Sequence, residues 1–122
     1  MTAKIKLKQG EIWLANLNPT RGTEAGKYRP VLIIQNQALL DAEHPSTLII
    51  PLSTKLIDNA EPLRIRIKAK SKIKKDSDLL IDQIRAIDNK RLLEGPLLHC
   101  AEDFMEIVYE AVSEVMGMNN LY

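Results

Sequence analysis

Short apolar runs separated by turn residues fill the first three quarters of the chain, and they constrain the fold more than any other feature. The run at residues 31–34 lies between Pro30 and Asn36 and is typical of a strand buried on both faces. Further strands are predicted for residues 10–17, 47–53 and 79–87. Pro51 lies inside the third run and indicates a sheet edge or a bulge, because proline cannot donate to a strand ladder.

The last quarter of the chain predicts a helix over residues 102–116. Apolar residues recur there at helical spacing, and Gly117 supplies a stop: Phe104, Ile107, Val108, Ala111, Val112 and Val115. The opposite face carries four glutamates, which are typical of a solvated surface: Glu102, Glu106, Glu110 and Glu114. A shorter helical turn is predicted over residues 89–93, before Gly95 and Pro96. Strands followed by a helix indicate one mainly β, α+β domain over residues 1–122.

A basic run at residues 64–74 alternates with apolar residues. Its cations occupy every second position, so an extended chain would place them on one face: Arg64, Arg66, Lys68, Lys70, Lys72 and Lys74. Such a face is typical of a track for nucleic-acid phosphates. Lysines on an edge strand also prevent aggregation between sheets, and the later lysines can lie in a turn. The sequence leaves these alternatives open.

Metal, disulfide and membrane chemistry receive little support. Cys100 is the single cysteine and lies in a leucine-rich stretch, which predicts a buried structural thiol. His44 and His99 show no ligand spacing, so no metal and no cofactor are expected. No apolar run approaches the ~20 residues of a spanning helix, and no secretory signal begins the chain. A cytoplasmic protein with no membrane partner is therefore expected.

Four strings resemble the MazF/PemK family of toxin ribonucleases and follow that family's order: GEIWLANLNP, GTEAGKYRPVLIIQN, IIPLST and DQIRAIDNKRL. The resemblance covers nearly the whole chain. It implies a small SH3-like barrel of the PemK/CcdB type with a C-terminal helix, and a homodimer. It also implies a toxin that cleaves single-stranded mRNA at specific sequences and inhibits translation and growth. A cognate antitoxin with a disordered acidic tail would occupy its RNA groove.

The resemblance also implies catalytic residues. Arg29 matches the family's catalytic arginine, and Ser53 falls where many members have a catalytic threonine. Glu24 matches a loop acidic residue implicated in activity in some members. Some members have a histidine at the position of Thr23 and an arginine at that of Leu80. Their absence here indicates a subtype that depends on an arginine and a hydroxyl group.

Residues predicted to contact RNA lie around the loop 18–28 and at the ends of the predicted strands. Tyr28 is the best candidate for stacking on an unpaired base. An Asp–Gln pair matches family positions that contact RNA or assist the chemistry. The full set is Arg21, Thr23, Tyr28, Thr54, Arg64, Asp82 and Gln83.

RNA carries its own nucleophile, so such an enzyme requires no metal ion. The 2′-OH attacks the adjacent phosphorus and expels the 5′-oxygen, which leaves a 2′,3′-cyclic phosphate and a 5′-OH. Arg29 suits stabilisation of charge on the phosphorane, because a guanidinium can grip two phosphate oxygens. Ser53 can hydrogen-bond the phosphate or the 2′-OH. Glu24 and Asp82 are the candidate bases, and the sequence does not choose between them.

Structural alternatives exist for each of these residues. Arg29 could pair with Glu24 or Asp82, and Ser53 could be an ordinary hydroxyl at a strand end. Asp82 and Gln83 could satisfy backbone groups. The same barrel also serves toxins that bind DNA gyrase without cleaving anything, and a barrel that only binds nucleic acid is a third alternative.

Overall fold

The computed structural model describes residues 6–24 and 26–118. The strands in these residues are β1 (Glu11–Asn16), β2 (Tyr28–Ile33), β3 (Ser46–Ser53), β4 (Arg64–Ile67), β5 (Ser77–Leu80), β6 (Arg85–Asp88) and β7 (Leu92–His99). The helices are α1 (Gln37–Asp41) and α2 (Glu102–Val115), with single 3₁₀ turns at Ile81–Gln83 and Asn89–Arg91. The predicted order of strands first and a long helix last is confirmed. The short helix α1 was not predicted.

One antiparallel sheet contains all of these strands, in the order β4-β5-β3-β2-β1-β7, with β6 also pairing with β3. On the side of β3 that faces away from β2, two strands pair with it in succession. β6 pairs with residues up to Ile49, and β5 pairs with residues from Leu52. Pro51 lies at this change of partner, so its missing N–H interrupts neither ladder. Strand β3 is not an edge strand, because it has neighbours on both sides, but at Pro51 itself only the side facing β2 is paired, to Val31.

Both faces of the central strands are buried, which explains their uninterrupted apolar runs. One face packs against α2 and holds Ile12, Leu32, Ile50 and Val108. The other face holds a second cluster that includes Trp13, Val31, Ile33, Ile49 and Leu92. The prediction that residues 31–34 form a strand buried on both faces is confirmed for residues 31–33, while Ile34 is only partly buried.

Helix α2 forms almost where it was predicted, but its buried face differs slightly from the predicted apolar stripe. Its buried residues are Met105, Val108 and Ala111, whereas Ile107 is 52% exposed. The four glutamates of its outer row are exposed, as predicted. Gly117 follows the helix at a φ of 78°, a conformation that favours glycine and ends helices commonly.

Two predicted segments are wrong in detail. Residues 79–87 are not one strand, because the 3₁₀ turn Ile81–Gln83 separates β5 from β6 and lets each pair with a different part of β3. The helical turn predicted over residues 89–93 ends at Arg91. Leu92 begins β7, pairs with Ala15 and is buried in the second cluster.

The basic run is extended only over β4, at Arg64–Ile67. Lys70 and Ile73 form an isolated bridge that closes a turn containing Lys72, and Lys74 follows this turn. A continuous basic face over residues 64–74 is therefore wrong, and the alternative in which the later lysines lie in a turn is confirmed. Cys100 is buried as predicted, and burial raises the pKa of its thiol to about 11 despite the nearby charge of Lys70.

Candidate active site

A groove of about 410 Å³ opens where β2 begins and β3 ends, and it contains both residues of the predicted catalytic pair, Arg29 and Ser53. Its lining comes from the start of β2, the end of β3 and one residue of β5: Lys27, Tyr28, Arg29, Pro30, Leu52, Ser53, Thr54, Lys55 and Ser77. Four residues predicted as functional therefore share one surface: Tyr28, Arg29, Ser53 and Thr54. Tyr28 is 63% exposed, so its ring is accessible to a ligand.

Arg29 is held by two backbone carbonyls. Its Nε donates to the oxygen of Gly26 at 2.7 Å, and its Nη1 donates to the oxygen of Leu52 at 3.0 Å. Among the described residues the Nη2 group has no acceptor, which leaves it free for a ligand. Partial burial lowers the pKa of the Arg29 guanidinium, but arginine keeps its charge at neutral pH. The alternative in which Arg29 pairs with Glu24 or Asp82 is not seen.

Ser53 and Arg29 line the same groove, and the guanidinium of Arg29 donates to the oxygen of Leu52, the residue before Ser53. The sheet register agrees with this placement: Val31 of β2 lies opposite Pro51 of β3, and continuing that register by two positions along each strand leads to Arg29 and Ser53. The Ser53 Oγ accepts a hydrogen bond from the backbone N–H of Lys55 at 3.2 Å. This contact orients the hydroxyl and leaves its proton able to donate into the groove.

Three of the predicted site residues, Arg21, Thr23 and Glu24, lie in the loop before β2 and do not line the groove. Glu24 closes a tight turn: its Oε1 accepts from the backbone N–H of Arg21 at 2.7 Å, and its own N–H donates to the oxygen of Arg21 at 3.1 Å. Thr23 accepts a hydrogen bond from Nε2 of Gln83 at 3.3 Å through its backbone oxygen. The loop is thereby attached to the turn between β5 and β6, next to Asp82.

Arg64 lies in a second, neighbouring pocket of about 320 Å³, together with Arg66 and Asp78. Its Nη1 donates to the backbone oxygen of Lys55 at 3.1 Å and lies 3.6 Å from Oδ2 of Asp78. These contacts give the Arg64 guanidinium an intramolecular role. The contact of Arg64 with RNA stays a prediction.

The sequence analysis did not predict two cationic residues of the groove. Lys27 and Lys55 both line it and both are exposed. Each is adjacent in sequence to a predicted site segment, Lys27 before Tyr28 and Lys55 after Thr54, and that adjacency was the available signal. Their charges make the groove more favourable for a polyanion than Arg29 alone would.

In residues 6–24 and 26–118, no three His, Cys, Asp or Glu side chains are grouped as a metal site. The helices of this part of the chain are all too short or too polar to span a bilayer.

Solved structures with the same fold place the chain in a structural class, that of small, mainly antiparallel β proteins with a C-terminal helix. A crystal structure of MazF from Deinococcus radiodurans matches with a TM-score of 0.78 at 18% identity, over 93% of this chain and 99% of that one. A MazE–MazF structure from the same organism matches with a TM-score of 0.73 at 19% identity, over 94% of this chain and 99% of that one. The predicted strand-rich fold with a C-terminal helix is confirmed.

Sequence comparison then identifies the family. The model of PemK-like, MazF-like toxins of type II toxin–antitoxin systems matches residues 8–116. The chain is also 39% identical to a protein named endoribonuclease MazF from Staphylococcus epidermidis, over 93% of this chain and 94% of that protein. The chain therefore belongs to the PemK/MazF family of toxins.

Proposed function

We propose that this chain is an endoribonuclease toxin that cleaves single-stranded mRNA at specific sequences, without a metal ion. The observation that carries the proposal is the placement of Arg29 and Ser53 in one open, cationic groove. The name of the 39% identical relative, endoribonuclease MazF, supports the same activity. Cleavage of mRNA would inhibit translation and growth. This proposed activity implies a protein that acts in the cytoplasm.

Arg29 stabilises the charge that develops on the scissile phosphate. The two carbonyl contacts hold its guanidinium in place before the substrate arrives, and such preorganised charge contributes most of the catalysis in many enzymes. The free Nη2 group donates to a non-bridging phosphate oxygen. Lys27 and Lys55 attract the RNA backbone to the groove.

The Ser53 hydroxyl donates a hydrogen bond to the phosphate and aligns it for in-line attack by the 2′-OH. The expelled 5′-oxygen takes its proton from water in the open groove and leaves as the 5′-OH. Glu24 is the proposed base for the 2′-OH, with Asp82 as the alternative carboxylate. In this structure Glu24 belongs to the turn beside the groove, so it reaches a substrate by movement of that loop. Tyr28 stacks on a base that flanks the scissile linkage. Together these roles define the subtype that depends on an arginine and a hydroxyl group.

The partners proposed are RNA, a second copy of the chain and an antitoxin. The MazE–MazF structure with the same fold supports an antitoxin partner. An acidic, disordered antitoxin tail would compete with RNA for Arg29, Lys27 and Lys55, because both ligands are anionic. Light scattering on the purified protein tests the homodimer.

The direct test is cleavage of a long unstructured RNA in the presence of excess EDTA, followed by mapping of the product ends. We expect cleavage at a restricted set of sequences, with 2′,3′-cyclic phosphate and 5′-OH ends. A magnesium-dependent nuclease in the same buffer is the control for complete chelation. Loss of cleavage in EDTA, or 3′-OH and 5′-phosphate ends, would reject the proposed chemistry. RNA binding without any cleavage would favour a barrel that only binds nucleic acid.

A further inference from the structure

A buried carboxylate outside the groove attaches the segment after Ser53 to the sheet. Asp78 of β5 has only 1% of its side chain exposed, and its Oδ1 accepts from Nε of Arg66 at 2.7 Å. Its Oδ2 accepts from the backbone N–H of Ile57 at 2.9 Å and lies 3.6 Å from Nη1 of Arg64. One carboxylate thus contacts two arginines and a backbone amide that lies 21 residues away in sequence.

The same network reaches the groove through Lys55. Arg64, oriented by Asp78, donates from Nη1 to the backbone oxygen of Lys55 at 3.1 Å. The N–H of Lys55 donates in turn to Oγ of Ser53 at 3.2 Å. We call this set the Asp78 clamp: Asp78, Arg64 and Arg66 with the backbone of Lys55 and Ile57. It connects a buried charge to the hydroxyl that faces the scissile phosphate.

The segment held by the clamp is fixed by polar contacts, which include a further ion pair between Nη1 of Arg66 and Oδ1 of Asp58 at 2.8 Å. Residues 54–59 are all exposed, and the apolar side chains of Leu56 and Ile57 are 42% and 47% exposed. Because the segment is not anchored by apolar burial, its position depends on its hydrogen bonds to Asp78, Arg64 and Arg66. Segments with few buried apolar contacts open at low free-energy cost when such bonds are lost.

The carboxyl group of Asp78 is kept in its ionised form by its contacts. Burial by itself would raise the pKa of this carboxyl group, but the hydrogen bonds from Arg66 and Ile57 and the charges of Arg66 and Arg64 hold that pKa below its usual value. The group is therefore an anion at neutral pH. An anion orients three donors more strongly than a neutral amide in the same position does.

We propose that Asp78 is a positioning residue for the ribonuclease reaction. Through Arg64 and the backbone of Lys55 and Ile57, it sets the orientation of the Ser53 hydroxyl and of the groove wall at Thr54 and Lys55. It thereby affects the rate of cleavage and the choice of the cleaved linkage. This inference rests on the proposed function.

The test compares Asp78→Asn with Asp76→Asn. Asp76 is a matched control, because it also accepts from a backbone amide, that of Ala69 at 2.7 Å, but does not contact the clamp. Three quantities are measured: amide hydrogen exchange at Ile57, kcat and KM on a defined RNA, and the map of cleaved linkages. For Asp78→Asn we expect faster exchange at Ile57, a kcat lower by about 10–100-fold, and a less restricted cleavage map. For Asp76→Asn we expect wild-type values of all three.

Each contrary outcome is informative. Faster exchange at Ile57 with an unchanged kcat and map would show that Asp78 only stabilises the fold, and would overturn the inference. Unchanged exchange would show that the clamp does not hold the segment. A wild-type protein that cleaves no RNA rejects the proposed function, and the inference with it, while exchange at Ile57 still reports on the clamp itself.

If Asp78→Asn does not fold, Arg66→Lys replaces it, because lysine keeps the charge but cannot hold both carboxylate oxygens in the same way. We expect the same direction of change in exchange, kcat and map. Wild-type values of all three in this variant would overturn the inference.

Discussion

The guanidinium of Arg29 donates to the backbone oxygen of Leu52, the residue directly before Ser53, at 3.0 Å. This single hydrogen bond joins the start of β2 to the end of β3 across 23 residues of sequence. It holds the guanidinium of Arg29 and the hydroxyl group of Ser53 in the same groove. Neither strand alone could supply both groups. The proposed chemistry depends on this relationship, because an in-line phosphoryl transfer requires its charge-stabilising and orienting groups to act on one phosphate.

Replacement of Arg29 by alanine should lower kcat by about 10²–10³-fold, because the charge on the phosphorane loses its stabilising cation. Lys27→Ala is the matched control in the same groove. It should weaken RNA binding and reduce its salt dependence, with a smaller effect on kcat. Single-turnover cleavage and RNA binding at two salt concentrations distinguish the two variants. Equal losses of kcat in both would contradict a special role for Arg29.

Ser53 can be tested with one substitution that removes its hydroxyl group and one that retains it. Ser53→Ala removes the hydroxyl that accepts from Lys55 and donates into the groove, and kcat should fall by about 10²-fold. Ser53→Thr retains the hydroxyl and should stay close to the wild-type rate. Circular dichroism checks that both variants fold. The hydroxyl role is wrong if alanine cleaves as fast as threonine at this position.

Glu24→Gln separates basicity from loop structure. Glutamine still offers an oxygen to the Arg21 amide, so the turn is expected to persist, but the amide cannot accept a proton. If Glu24 is the base, kcat should fall by about 10²-fold or more. A variant as active as wild type would mean that Glu24 only closes the turn, and Asp82→Asn would then be measured in the same way.

Asp78 should make stability depend on pH. Its pKa is lower in the folded chain than the ordinary value of about 4, so its contribution is present above that value and is lost as the pH falls through the folded pKa. Asp78→Asn should lower the free energy of unfolding at pH 7 by about 1–3 kcal/mol. The difference between the two proteins should shrink below about pH 4. Urea denaturation at pH 7, 5 and 3.5 measures it, and a difference that does not change with pH would refute the assignment.

Gly95 should tolerate no side chain, because β7 crosses the ring of Trp13 at this position. A Cβ there would stand 2.4 Å from Cδ2 of Trp13, whose ring is buried and cannot move away freely. Gly95→Ala should cost about 1–3 kcal/mol of stability. Gly22→Ala, where the space is open but φ is 57°, is the control and should cost less. Thermal unfolding of the two variants gives the comparison, and equal losses would contradict the steric explanation.

The helix α2 and the buried strands β1, β2 and β3 were predictable because their signals are local. A helical stripe repeats every three or four residues, and an apolar run marks a strand wherever its partners lie. The resemblance to the PemK/MazF family named Arg29 and Ser53 from short strings around them. Lys27 and Lys55 were not predicted, although each is next to a predicted site segment. A groove is formed by residues from separate segments, so it leaves no periodic pattern in the sequence.

The way in which these elements meet depends on contacts between residues that are far apart in the sequence. The change of partner along β3 broke the run at residues 79–87 into β5 and β6, and the pairing of Leu92 with Ala15 turned a predicted helical end into β7. Asp78 was indistinguishable in the sequence from an ordinary surface aspartate. Its burial and its bond to Ile57 arise from sheet register, which depends on contacts between distant residues and not on the residues beside them.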